Sequence, residues 1–118
     1  MDFRKAITAH LQWKSRLAMF LQGDSSEWLD PNTVGKVDQC ELGKWLHGEA
    51  KSKFDNSLEY RGLLETHATF HRCAAEIVKW TLSGDKAEAT RLLEGDFNAY
   101  SSATVLAITR LERMLGKP

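Results

Sequence analysis

Proline is nearly absent from this sequence: one stands at Pro31 and the other is the last residue, Pro118. Long uninterrupted helices are therefore open to most of the chain, since proline removes a backbone donor and clashes with the preceding turn. Net charge is missing too, with 16 Lys and Arg against 16 Asp and Glu and no basic run. That balance argues against nucleic acid or an anionic membrane surface as the main partner, because both are recognised through positive charge that displaces counterions. No stretch approaches the roughly 20 consecutive apolar residues of a membrane span. The opening Met1-Asp2-Phe3-Arg4-Lys5 lacks the apolar centre of a signal peptide. These absences predict a cytoplasmic protein without membrane insertion. Cysteine is scarce as well, with Cys40 and Cys73 the only two. One disulfide is possible in principle, but a cytoplasmic chain keeps its thiols reduced, so each is read separately. Cys73 has the character of a small buried hydrophobe.

What is present is a chain of 118 residues, read as one domain over 1–118. A chain of this size buries roughly two-thirds of its unfolded surface, enough for a core without disulfides. Apolar residues recur every three or four positions, which predicts an all-α protein. A first helix is expected over about Asp2 to Gln22, with Phe3, Ile7, His10, Leu11, Leu17 and Leu21 inward, stopping at Gly23-Asp24-Ser25-Ser26. A loop with one short turn near Trp28-Leu29 follows, to about Val37. Asp38 is read as the cap of a short helix through Cys40 and Trp45, ending near Gly48. Tyr60, Leu64, His67, His71, Ala74, Val78 and Thr81 trace the seam of a long third helix, and Leu93, Phe97, Tyr100, Thr104, Ala107, Leu111 and Met114 that of a fourth. Gly95 marks a point where the fourth either bends or lies close against a neighbour. The expected architecture is an antiparallel four-helix bundle whose short helix carries Cys40.

Two of the four histidines lie in the third seam. His67 and His71 are an i, i+4 pair, which stacks two imidazoles on one helical face as two ligands of one metal ion require. Taken alone, H-x-x-x-H is a weak signal. Burial strengthens it, because an unpartnered polar ring on an inward seam costs about 1–3 kcal/mol. His10 adds a third ring on an inward face, and Cys40 a thiol near a helix N-terminus, where the thiolate is favoured. Gly43 allows close backbone approach and Trp45 can wedge the short helix onto the bundle. Three imidazoles and one thiolate make a closed tetrahedral set for Zn2+. His47, seven residues past Cys40, is about 10 Å further along a continuous helix and reads as a surface residue.

His10-Leu11-Gln12-Trp13, Cys40-Glu41-Leu42-Gly43-Lys44-Trp45 and His67-Ala68-Thr69-Phe70-His71 together resemble the motifs of the chemoreceptor zinc-binding domain, in order and spacing. The resemblance implies that His10, Cys40, His67 and His71 bind one zinc ion, with Trp13, Gly43 and Trp45 as supports that bind no metal. It also implies a homodimeric sensory module, attached in relatives to a chemoreceptor or diguanylate cyclase. There it modulates chemotaxis or cyclic-di-GMP synthesis in bacterial signalling, through zinc occupancy or oxidation of the bound cysteine. The length leaves no room for such an output domain, so a stand-alone member or an excised module is expected. Two readings from other classes stand beside it. One is a zinc-dependent hydrolase with three histidines and an open water position, against which HATFH places Ala68 where zinc proteases carry their general-base glutamate. The other is a helical interaction module without metal.

Overall fold

Asp2 starts the first helix by accepting the Lys5 N–H at 3.0 Å, and Gly23 ends it in the left-handed region at φ 81°. In the computed structural model, which describes residues 1–116, this is α1, Phe3–Gln22. Lys117 and Pro118, the end of the expected 1–118 domain, lie outside the described residues. The next elements are α2 (Pro31–Val34), α3 (Glu41–Leu46), α4 (Glu49–Phe54) and α5 (Leu58–Leu82). The chain then forms α6 (Lys86–Glu94) and α7 (Asp96–Gly116). The all-α expectation holds among the described residues. Gly95 divides the expected fourth helix into α6 and α7, with a φ/ψ of −107°/−95° that no helix accommodates. The short helix expected between residues 38 and 48 is α3, trimmed at both ends; α4 follows it where no helix was expected, and the loop before α3 contains α2, just beyond the turn expected at Trp28-Leu29.

Two apolar clusters make the core. One holds Ala6 of α1, Leu42 and Leu46 of α3, Tyr60 and Leu63 of α5, and Ile108 and Leu111 of α7. The other holds Leu17 of α1, Phe70, Ala74, Ile77 and Val78 of α5, Ala89 and Leu93 of α6, and Phe97 of α7. α1 and α5 contribute to the two clusters in the same order and α7 in the reverse order. α1 and α5 therefore run parallel, and α7 antiparallel to both. The reason lies in residues 23–57: a connection of that length, carrying three short helices, returns the chain to the end from which α1 set out. Leu11, expected inward, is 54% exposed. One face of α1 is too narrow to bury both it and His10.

Between the clusters lies a polar layer. His10, His67, His71, Ser101 and Thr104 are the buried polar residues of the core. Thr104 Oγ1 donates to its own helix at Tyr100 O, 2.8 Å away, so its burial leaves no unmet donor.

Tyr60 ties α5 to the end of α3. Its buried hydroxyl donates 2.6 Å to the Leu46 carbonyl. Tyr60→Phe is expected to lower unfolding stability by about 1 kcal/mol. Chemical denaturation reads this directly, and an unchanged midpoint would show that the bond contributes nothing.

Candidate metal centre

Three segments deliver four donor side chains into the polar layer. His10 comes from the middle of α1, Cys40 from the start of α3, and His67 and His71 from consecutive turns of α5. Each offers one donor atom, and the four atoms all lie within 4.8 Å of one another. Cys40 Sγ is 3.3 Å from His67 Nε2, 3.7 Å from His71 Nε2 and 4.0 Å from His10 Nε2. His67 Nε2 and His71 Nε2 are 3.0 Å apart. A tetrahedral zinc ion with ordinary bond lengths separates its nitrogen donors by roughly 3.3 Å and its sulfur and nitrogen donors by roughly 3.5 Å. The three sulfur–nitrogen separations bracket the second value, and the His67–His71 nitrogen pair lies slightly inside the first.

Proton positions favour the same use. His10 Nδ1 lies 2.7 Å from the Ala6 carbonyl and His71 Nδ1 3.0 Å from the Val34 carbonyl. Carbonyls only accept, so in each neutral ring Nδ1 carries the proton and Nε2 presents a lone pair to the centre. The rings are held neutral: burial, above all, pushes His71 down to about 4 and His67 to about 2, and it lowers His10 as well. Two neutral imidazoles approach Nε2 to Nε2 at 3.0 Å only with a proton or a cation between them. His67 Nδ1 is the one buried side-chain nitrogen or oxygen without a partner among the described residues. Its ring is oriented by packing, edge-on to His71 with centroids 4.5 Å apart and to His10 at 5.2 Å.

Cys40 departs from expectation in two ways. The helix cap is Cys40 itself rather than Asp38: α3 begins at Glu41, and Cys40 Sγ accepts the Gly43 N–H at 3.3 Å. The backbone of Val37 and Asp38 crosses over Gly43 too closely to continue the helix, since a Cβ there would stand 1.7 Å from Val37 O and 3.1 Å from Asp38 Cα. The thiol is also not favoured as an anion on its own. Burial raises it above its ordinary value, outweighing the N–H groups of the first turn, which lower it. A divalent ion binding here would have to displace the Cys40 proton.

Trp45 packs edge-on to Phe3 of α1 with centroids 5.4 Å apart and tilted on Phe54 of α4 at 6.2 Å. Trp13 stands edge-on to His71 at 6.4 Å. His47 is exposed at the end of α3, and Cys73 is buried in the apolar cluster. Neither joins the converging donors. The carbonyl partners were beyond sequence reasoning in unequal degree. Ala6 lies four residues before His10 on one helix, a legible spacing, whereas Val34 lies 37 residues from His71 and carries no sequence signal.

Comparison with curated proteins and with solved structures gave no match. The model of one family, the chemoreceptor zinc-binding domain, matches residues 10–78, a stretch that contains all four converging side chains. With more than half of its length matched, the chain belongs to the chemoreceptor zinc-binding domain family, whose bound ion is zinc.

Proposed function

We propose that this chain is a sensory module in which His10, Cys40, His67 and His71 together bind one zinc ion, and in which zinc occupancy or the oxidation state of Cys40 sets the output of a partner protein. The observation that carries the reading is the convergence of four donors of zinc-binding type from three separated segments, within 4.8 Å of one another. Trp13, Gly43 and Trp45 act as supports by packing on or beside the ligands. Four protein donors leave a tetrahedral ion no open position for water, which supports a regulatory rather than a catalytic role.

Zinc would stabilise the thiolate of Cys40 that burial alone disfavours. An oxidant such as hypochlorous acid then has an anionic sulfur to attack: the thiolate and hypochlorous acid give a sulfenic acid and chloride, sulfur losing two electrons and chlorine gaining them. A sulfenic acid is a poorer zinc ligand, so α3 would loosen from α1 and α5. The expected setting is cytoplasmic, as one domain over 1–118, in a homodimer that acts on a chemoreceptor in chemotaxis or a diguanylate cyclase in cyclic-di-GMP synthesis. α3 is six residues long and depends on its ligand more than the long helices do.

Metal analysis of the purified chain with X-ray absorption is the test. One zinc per chain with one sulfur and three nitrogen neighbours is expected, together with faster hydrogen exchange over residues 38–48 once zinc is stripped. Protein without metal, or zinc that keeps a water in place of sulfur, would sink the reading.

A further inference from the structure

His71 is held from outside its own helix. The carbonyl that accepts its Nδ1–H belongs to Val34, the last residue of α2. With four residues, α2 is too short to hold itself by its own turn, so the position of that carbonyl depends on its flanks. Asp30 caps the turn, accepting the Asn32 N–H at 3.1 Å and the Thr33 hydroxyl at 3.3 Å. Further upstream, Glu27 receives the guanidinium of Arg16 on α1 through both carboxylate oxygens, with Nε to Oε2 at 3.1 Å. The same guanidinium lies 3.7 Å over the ring of Trp13. Between Glu27 and α2, Leu29 is buried in the core. Trp13, Arg16, Glu27 and Val34 wall a groove of about 450 Å3 that reaches Cys40 and His71.

We propose that Arg16 and Glu27 form a clasp that positions His71 through α2. Closed, the clasp keeps the Val34 carbonyl on Nδ1 and so aims the Nε2 lone pair at the centre; open, it frees the ring to turn and widens the groove toward Cys40. The inference rests on the reading of these four side chains as zinc ligands. Partners that orient a metal-bound histidine raise its affinity for the metal. Both side chains of the clasp are more than a third exposed, and ion pairs of that kind are weak. The clasp is thus a reversible device, open to any condition that competes for either charge.

The test follows zinc release from the zinc-loaded chain into excess chelator. Glu27→Gln and Arg16→Gln are each expected to release zinc about two- to fivefold faster, and the exchanged pair Arg16→Glu with Glu27→Arg to return toward the parent. Asp30→Ala, which loosens α2 without touching the clasp, is expected to act in the same direction. Charge alone predicts otherwise, since removing a cation near a bound dication would slow release from Arg16→Gln. Nitrogen-15 spectra add a readout that a merely structural role would not move. The His71 Nδ1–H should exchange with water faster in Glu27→Gln, while the His10 Nδ1–H, bonded within α1, keeps the parent rate. Equal release from parent and Glu27→Gln, slower release from Arg16→Gln, or imidazole protons that change together would overturn the clasp. A parent that holds no zinc overturns the zinc reading instead, and the His71 proton then still tests the clasp in the metal-free chain.

Discussion

Replacing Gly43 by alanine is expected to destabilise the zinc-loaded protein by about 3 kcal/mol and to weaken zinc binding at least tenfold. Inside a helix the same change ordinarily stabilises, by about 0.5–1 kcal/mol, because alanine has less freedom to lose. The sign reverses here because the new Cβ would stand 1.7 Å from the Val37 carbonyl oxygen and 2.8 Å from its carbon, both backbone atoms. Neither can rotate aside, so α3 must move away from residues 37–38, a case of overpacking at the costly end. Cys40 caps that same turn and its Sγ accepts the Gly43 N–H, so a displaced turn carries the thiol out of place. Gly62→Ala is the matched control: it lies in α5 with nothing within 4 Å of where its methyl group would stand, and it should gain stability. Denaturant unfolding of the two variants decides the matter. Equal stabilities would show that residues 37–38 yield freely and that the close approach has no consequence.

Acid should unfold the metal-free protein well above the pH at which its carboxylates protonate. His67 and His71 titrate at about 2 and about 4 in the folded chain, against 6.5 for a free imidazole. Below pH 6.5 the unfolded chain therefore takes up protons that the folded chain refuses, and stability falls as pH falls, by about 1.4 kcal/mol per pH unit for each ring. Two rings over the window from 6.5 to 4 remove on the order of 7 kcal/mol, comparable with the whole stability of a small domain. His10, lowered by the same burial, adds in the same direction. Glu27, lowered by its bond to Arg16, contributes only below about its ordinary value of 4.5, so the upper part of the window belongs to the histidines. Denaturant titrations of chelator-treated protein between pH 7.5 and 5 give the slope, and His71→Leu should reduce it by one ring's share. A flat profile would contradict the burial of neutral rings. Adding zinc at about a thousandfold excess over its dissociation constant should restore about 4 kcal/mol at neutral pH.

Much of the centre was legible before any fold was known. His67 and His71 are four residues apart, and on a helix that spacing alone puts two rings on one face. The helical seams of α5 and α7 were equally readable, because a 3–4 alternation of apolar residues has few other solutions. Cys40 was found with the wrong cap and the wrong electrostatics. Its neighbours suggested a helix from Asp38 and an anionic thiol, whereas close packing of Val37 on Gly43 delays the helix to Glu41 and burial raises the thiol. α2 and α4 were missed since elements of four to six residues have too few turns to show a period. The parallel run of α1 and α5 is set by how far residues 23–57 carry the chain, which no local pattern encodes.

By itself the sequence determined an all-helical chain, its long amphipathic faces and which four side chains of metal-binding type come together, because helical periodicity and side-chain chemistry are properties of short stretches. Only the tertiary structure decided what those donors meet. It set α1 beside α5 in the same direction so that His10 stands level with His67 and His71. It also buried the rings deeply enough to keep them neutral and brought the Val34 carbonyl from 37 residues away to orient one of them. Those are outcomes of packing between segments distant in the chain, where loop path and excluded volume rule and local preference has no say.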